Sequence, residues 1–311
     1  MFRPGDVWLD TEGNPIQAHG GSILFDQGTY LWFGENKDAD TVQGGIVEFQ
    51  VAEPIGISCY SSPDLYNWKN EGIVLSAAQV HAKDSNALQV IERPKVLFNA
   101  KNQQYVMWFH ADHRTYEFAH VGIAVSDTPT GPYEYQGSFR PAGSDSRDMT
   151  LYQDDDGHGY VIFSSEWNQT LRMARLSDGY LSTTEEVTRN LIGQHREAPT
   201  IFKHHGLYYL ITSGCTGWDP NEAQYATAPS VFGPWKPCGN PCIGPDADKT
   251  FFAQSAFVLP LPQKSGAFVF MADRWKKQNL RDSRYVWLPI RFEGTKLLIE
   301  WRDEWDLSAF D

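Results

Sequence analysis

Hydrophobic and polar positions alternate along most of this chain in short runs, and a helical period is scarce. Gly, Pro, Asn and Asp punctuate the runs, a pattern that predicts short strands joined by turns. Five segments repeat one layout: QAHGGSILFDQGTYLWFG, IERPKVLFNAKNQQYVMWFH, SRDMTLYQDDDGHGYVIFSS, HREAPTIFKHHGLYYLITSG and FAQSAFVLPLPQKSGAFVFMAD. Each opens on a polar residue and runs through a β-rich stretch. It then turns (DQG, AKNQ, DDDGHG, KHHG, QKSG) and returns in a strand rich in Tyr, Phe and Trp. That is a hairpin written five times. Further strand-and-turn segments follow, among them ISCYSSPDLYNWKNEG, VGIAVSDTPTGPYEYQG and AQYATAPSVFGPWKPCG, with MARLSDGYL and YVWLPIRFEGTKLLIEW in the third and fifth copies.

The opening polar residues are His19, Glu92, Asp148, Glu197 and Gln254, separated by 73, 56, 49 and 57 residues. A four-stranded unit recurring at about 50 residues is the signature of a propeller blade. The predicted fold is therefore all-β: a five-bladed β-propeller of four-stranded antiparallel blades around a central channel, forming one domain over residues 1–311. In such a ring the first strand of every blade lines the channel, so equivalent positions converge on one mouth. Here they bring three carboxyl groups, an imidazole and a carboxamide together. Gathering Glu92, Asp148 and Glu197 around a pocket costs like-charge repulsion and desolvation, which points to a functional site. In the alternative, each acid caps a strand or pairs with the arginine beside it in sequence (Arg93, Arg147, Arg196). Strand alternation predicts instead that each arginine turns away from its acid's face.

Of 311 residues, 41% are hydrophobic and 14% aromatic, enough for a large core with rings to spare for a cleft that holds sugar faces. The net charge of −13 and the lack of a basic stripe argue against nucleic acid, anionic membranes and polyanionic glycans, and favour a neutral substrate. No stretch approaches the roughly 20 apolar residues of a membrane span. The opening MFRPGDVWLDTEG does not read as a leader, which predicts a cytoplasmic protein, or a secreted or periplasmic one if a leader is removed. Cys59, Cys215, Cys238 and Cys242 lack zinc-site spacing. The loop KPCGNPCIGP could accept a disulfide, but free thiols are expected.

The segments IQAHGG (16–21), WFGENK (32–37), ISCYSSPDLYNW (57–68), ERPKV (92–96), SRDMTLYQDDDG (146–157), REAPTIFK (196–203), TSGCTGW (212–218), AQS (253–255), DRW (273–275) and SRYVWLPI (283–290) resemble, in order and over nearly the whole chain, glycoside hydrolase family 43. More narrowly they are similar to its exo-β-1,3-galactanase branch. The resemblance implies a five-bladed propeller with a shallow pocket at the channel mouth, and hydrolysis with inversion. Inversion requires a protonated carboxyl at the leaving oxygen and a base across the sugar, with room for water.

By this resemblance Glu197, in its R-E-A-P segment, is the general acid, Asp148 tunes it and touches the sugar, and Glu92 grips two hydroxyls. Tyr116 and Glu48 lie in loops that reach the same sugar, and Trp218 and Trp275 are candidate stacking platforms. Most family members carry an aspartate base at the start of the first blade, where this chain has Ala18-His19-Gly20. The galactanase branch shares the gap and is thought to use the glutamine matching Gln254. An amide is a very weak base, so Gln254 would act through its imidic-acid tautomer or by positioning a water, with His19 and Glu92 as rivals. The run Asp154 to Gly157 reads as a solvated hairpin turn rather than a calcium site, and no cofactor or essential metal is expected.

The predicted activity is exo-acting hydrolysis of β-1,3-galactan or galacto-oligosaccharides. An α-L-arabinofuranosidase or β-galactofuranosidase would share the scaffold. A glycoside phosphorylase would need a cationic cluster to hold phosphate where the base sits, and the sequence neighbours of Gln254 offer none. A lectin-like propeller would have no use for a protonated acid beside Asp148.

Overall fold

The computed structural model describes residues 1–43, 50–84 and 88–311. Among these residues the strands form five antiparallel blades and one small ribbon. From the channel outward, the first blade is His19–Asp26, Thr29–Glu35, Gly56–Ser62 and Lys69–Ser76. The second is Val90–Asn99, Gln104–Asp112, His120–Ser126 and Glu134–Phe139. The third is Met149–Gln153, Gly159–Ser165, Thr170–Leu176 and Thr183–Asn190. The fourth is Arg196–His204, Leu207–Gly214, Gln224–Ala228 and Lys236–Gly239. The fifth is Gln254–Pro260, Phe268–Arg274, Arg284–Glu293 and Lys296–Glu300, with Cys242–Ile243 added parallel at its outer edge. The five inner strands pack side by side and close into a ring.

The second strand of every blade is a continuous apolar run, as in Tyr30–Phe33 or Phe268–Met271. Blades pack against neighbours on both faces, so a middle strand has no solvent side and loses its alternation. Outer strands such as Thr183–Asn190 keep exposed polar positions. The 73-residue spacing between the first two blades comes from a ribbon, Thr41–Gln43 paired with Gln50–Ala52, and from the helix Ala77–Lys83. Ser76 and Gln79 close a reciprocal capping box at the start of that helix.

Four of the five inner strands carry a register shift just past their opening polar residue: between His19 and Ser22, Glu92 and Lys95, Glu197 and Thr200, and Ser255 and Phe257. A bulge re-aims the side chains around it. At Arg93 (φ 53) it overturns the alternation expectation, because the guanidinium turns into the channel mouth. Arg196 does turn away, bonding Thr212 and the Glu222 carbonyl. The buried Lys95 amino group donates to the carbonyl oxygens of Gly20 (2.7 Å) and Arg93 (3.3 Å), and burial and then Arg93 push its pKa well down.

An aromatic cluster closes the seam between the first and fifth blades. The Trp287 ring lies 4.7 Å from Trp32, 5.0 Å from Trp8, 5.9 Å from Phe2 and 6.2 Å from Trp68. Phe2 also makes an isolated bridge to Trp305, tying the two ends of the chain. The Asp154–Gly157 run is a hairpin turn whose carboxylates take Lys203 at 3.0 and 2.8 Å. All four cysteines are free. No helix among the described residues is long and apolar enough to cross a membrane.

Trp287→Ala should lower the unfolding free energy by about 3–5 kcal/mol, the usual loss for a fully buried Trp. Urea unfolding followed by circular dichroism checks this, and a loss within 1 kcal/mol would show that the ring closes without the cluster.

Candidate active site

A cavity of about 260 Å³ opens where the inner strands begin. Its walls include Glu92, Asp148, Glu197 and Gln254, the opening residues of four blades. Convergence follows from the fold: equivalent positions on neighbouring inner strands meet around one axis.

Arg93 is the hub. Its Nε pairs with Asp148 Oδ1 at 2.7 Å, one terminal nitrogen donates to Gln254 Oε1 at 2.6 Å, and the other to the Ser255 carbonyl at 3.0 Å. The second Asp148 oxygen accepts from the Ala198 backbone N–H at 2.9 Å. Gln254 Oε1 also accepts from the Trp275 indole at 3.0 Å, and Gln254 Nε2 donates to Glu197 Oε1 and Ser213 Oγ, both at 3.0 Å. Because guanidinium and indole can only donate, the amide's orientation is settled by its partners. Asn168 donates to the other Glu197 oxygen at 3.1 Å. Burial first, and then the adjacent Asp148 carboxylate, push the Glu197 carboxyl up to about 8 against the pull of Arg93.

A second cluster surrounds Glu92. Lys37 Nζ lies 2.8 Å from Glu35 Oε2 and 3.4 Å from Glu92 Oε1. His110 Nδ1 lies 3.5 Å from Glu92 Oε2, and His110 Nε2 3.0 Å from Asp112. The Tyr116 hydroxyl donates to Glu92 at 3.2 Å. Burial works to raise the Glu92 carboxyl, but Lys37 and then His110 outweigh it and hold it at about 2. Burial and Glu92 raise Glu35 to about 8 although Lys37 opposes them. Burial alone would lower His110; Asp112 and Glu92 reverse this and bring it to about 9.

Trp218 and Trp275 both line the cavity, 5.1 Å apart edge to face, with Lys37 Nζ 5.5 and 5.8 Å from their centres. His19 lies elsewhere: it is fully buried beneath the cavity, with Nδ1 2.9 Å from Asp273 and its ring stacked on Tyr285. A side chain so enclosed reaches neither sugar nor water, which corrects the expectation that His19 meets substrate. Glu48 lies outside the described residues.

Several lining residues escape a reading by blade position. Glu35 ends the second strand of the first blade, with its partner Lys37 two residues beyond it in the WFGENK segment, and His110 lies two residues before the end of that strand in the second blade. Arg147 and Trp167 stand on the rim, the guanidinium 4.0 Å from the ring centre. The ends of second strands offer a usable signal, because antiparallel pairing sets them beside the opening residues: Glu35 faces His19, and His110 faces Glu92.

A propeller whose channel mouth joins a carboxyl held protonated near neutrality to a second, ionised carboxyl has the equipment of a glycoside hydrolase. The comparisons agree. The model of glycosyl hydrolases family 43 matches residues 22–256, and the chain belongs to that family. A family 43 β-1,3-galactosidase solved with galactodeoxynojirimycin is 43% identical, with a TM-score of 0.91, over 98% of this chain and all of that one. An exo-β-1,3-galactanase variant from Phanerochaete chrysosporium, solved with β-1,3-galactotriose, is 39% identical with a TM-score of 0.86, over 98% of this chain and 68% of that one. A β-D-galactofuranosidase of Aspergillus niger is 26% identical over 75% of this chain and 70% of its own length. The chain is thus a glycoside hydrolase that acts on carbohydrate.

Lys37→Met leaves the buried Glu92 and Glu35 without their shared cation. It should cost about 3–5 kcal/mol of stability at pH 7, read by urea unfolding, and adding Glu92→Gln, which removes the ionised partner, should recover part of it.

Proposed function

We propose that this enzyme releases galactose, with inversion, from the non-reducing end of β-1,3-galactan or galacto-oligosaccharides. The observation that carries the reading is Glu197: a buried carboxyl raised to about 8, beside Asp148, in a chain 43% identical over its length to a family 43 β-1,3-galactosidase. A pocket rather than an open groove suits removal of one terminal sugar.

The roles follow from the contacts. Glu197 carries its proton at neutral pH and gives it to the departing glycosidic oxygen. Asp148 keeps that proton in place, because its charge opposes a second ionisation nearby. Glu92 stays ionised and accepts hydrogen bonds from sugar hydroxyls, with Tyr116 beside it. Glu92, the carboxylate of the cavity held ionised by Lys37 and His110, is also the group left to take the proton of the attacking water. Gln254 Oε1 accepts from two obligate donors, which leaves no place for the hydrogen of an imidic acid. We therefore assign Gln254 to positioning the attacking water as an ordinary amide.

The cations of the pocket do not make a phosphate site. Arg93 serves Asp148, Arg147 serves Asp145, Lys37 serves Glu35 and Glu92, and His110 serves Glu92 and Asp112. Hydrolysis independent of phosphate is expected. The similarity to a β-D-galactofuranosidase makes furanosides the alternative substrates.

Incubation with β-1,3-galactobiose, followed by proton NMR, should show α-galactose first, and Glu197→Gln should abolish its release. Absence of product, with turnover of a furanoside instead, would overturn the galactosidase reading. The rate kcat/KM should fall as pH rises through about 8, where Glu197 loses its proton. Asp148→Asn removes a charge that raises Glu197, so in that variant the same limb should move to lower pH.

A further inference from the structure

Trp167 stands on the rim of the active-site cavity with 59% of its surface in solvent, among the most exposed large hydrophobic residues of the chain. Exposure of so large a ring beside a pocket calls for a ligand that covers it. The surroundings hold it rigidly. The Arg147 guanidinium lies against the ring, 4.0 Å from its centre. Arg147 is itself fixed by Asp145 at 2.6 Å and by the Tyr116 carbonyl at 2.9 and 3.1 Å. Asp145 also accepts the backbone N–H groups of Glu166 (2.9 Å) and Trp167 (3.2 Å) and the Ser165 hydroxyl (2.8 Å). These bonds hold a tight turn in which Glu166, Trp167 and Asn168 all have positive φ (55, 55 and 62°).

The turn also fixes where the ring stands relative to the chemistry. Asn168, next in sequence, donates to Glu197 Oε2 at 3.1 Å. On the proposed reading Glu197 protonates the oxygen that joins the terminal sugar to the rest of the chain. The leaving sugar is then the unit adjacent to Glu197 on the solvent side, where Trp167 stands. The other large rings, Trp218 and Trp275, are tied to the other Glu197 oxygen: Trp275 is bonded to Gln254, which donates to Glu197 Oε1, and Trp218 meets Trp275 edge to face.

We propose that Trp167, braced by Arg147, is the stacking platform for the leaving-group sugar, and so selects substrates in which a pyranose ring follows the bond being cut. The apolar face of a β-linked galactosyl unit, with its run of C–H groups, suits one face of an indole while its hydroxyls stay in water. The inference rests on Glu197 as the acid.

The test compares two substrates of Trp167→Ala. β-1,3-Galactobiose places a sugar on the platform, whereas β-galactosyl fluoride delivers the same glycosyl unit with no leaving sugar. Expected are a fall in kcat/KM of about ten- to a hundredfold for the disaccharide, as for loss of a stacked ring and its apolar area, a change within about twofold for the fluoride, and recovery of most of the loss in Trp167→Phe. Equal losses on both substrates, or no loss on either, would overturn the platform. Should the wild type cleave an arabinofuranosyl disaccharide in place of galactobiose, the sugar assignment falls, and the matching glycosyl fluoride pair tests the platform in the same way.

Discussion

The active site hangs on one guanidinium. Arg93 reaches Asp148, Gln254 and the Ser255 backbone at once, so a single rigid fork ties the inner strands of the second, third and fifth blades across the channel mouth. Buried charges demand partners, and here the partner of Asp148 comes from a different blade. That arrangement lets Asp148 stand beside Glu197 without turning toward it. The acid accepts neutral N–H groups from Gln254 and Asn168 at its two oxygens and stays protonated. Were Arg93 to pair with Glu197 directly, the guanidinium would hold that carboxyl ionised and the proton needed for the leaving group would be lost.

The same logic runs in the opposite sense a few ångströms away. Glu92 lies as deep as Glu197 but has Lys37 and His110 beside it, and is held ionised. Two buried glutamates in one pocket thus differ in proton content because Lys37 and His110 stand beside one, whereas the other is bonded by two carboxamides next to a carboxylate that takes up the nearby Arg93. Environment, not residue type, separates the acid from the residue that grips hydroxyls.

The blade repeat was legible because a propeller repeats its hydrogen-bonding and packing needs every four strands, and the five opening polar residues mark the period. The bulges were not legible. Arg93 follows Glu92 directly, and a regular strand would send the two side chains to opposite faces; a single residue with positive φ brings both to the mouth. His19 occupies the same place in the repeat as the acids, yet it lies beneath the pocket, against Asp273 and Tyr285 of the fifth blade. Position in a repeat says which strand end a residue occupies, and it does not say how deep the side chain sits.

From the sequence alone came the five blades, the family, and the convergence of Glu92, Asp148, Glu197 and Gln254, since periodicity and strand order leave those residues no other place to go. Only the tertiary structure decided which carboxyl keeps its proton, that Arg93 takes the Gln254 carbonyl oxygen while the amide nitrogen turns to Glu197, and that Trp167 stands exposed at the cavity. Those outcomes depend on contacts between blades and loops far apart in sequence, on distances of about 3 Å, and on burial. A linear pattern specifies local backbone and facing, whereas electrostatic neighbours are chosen by how the ring closes.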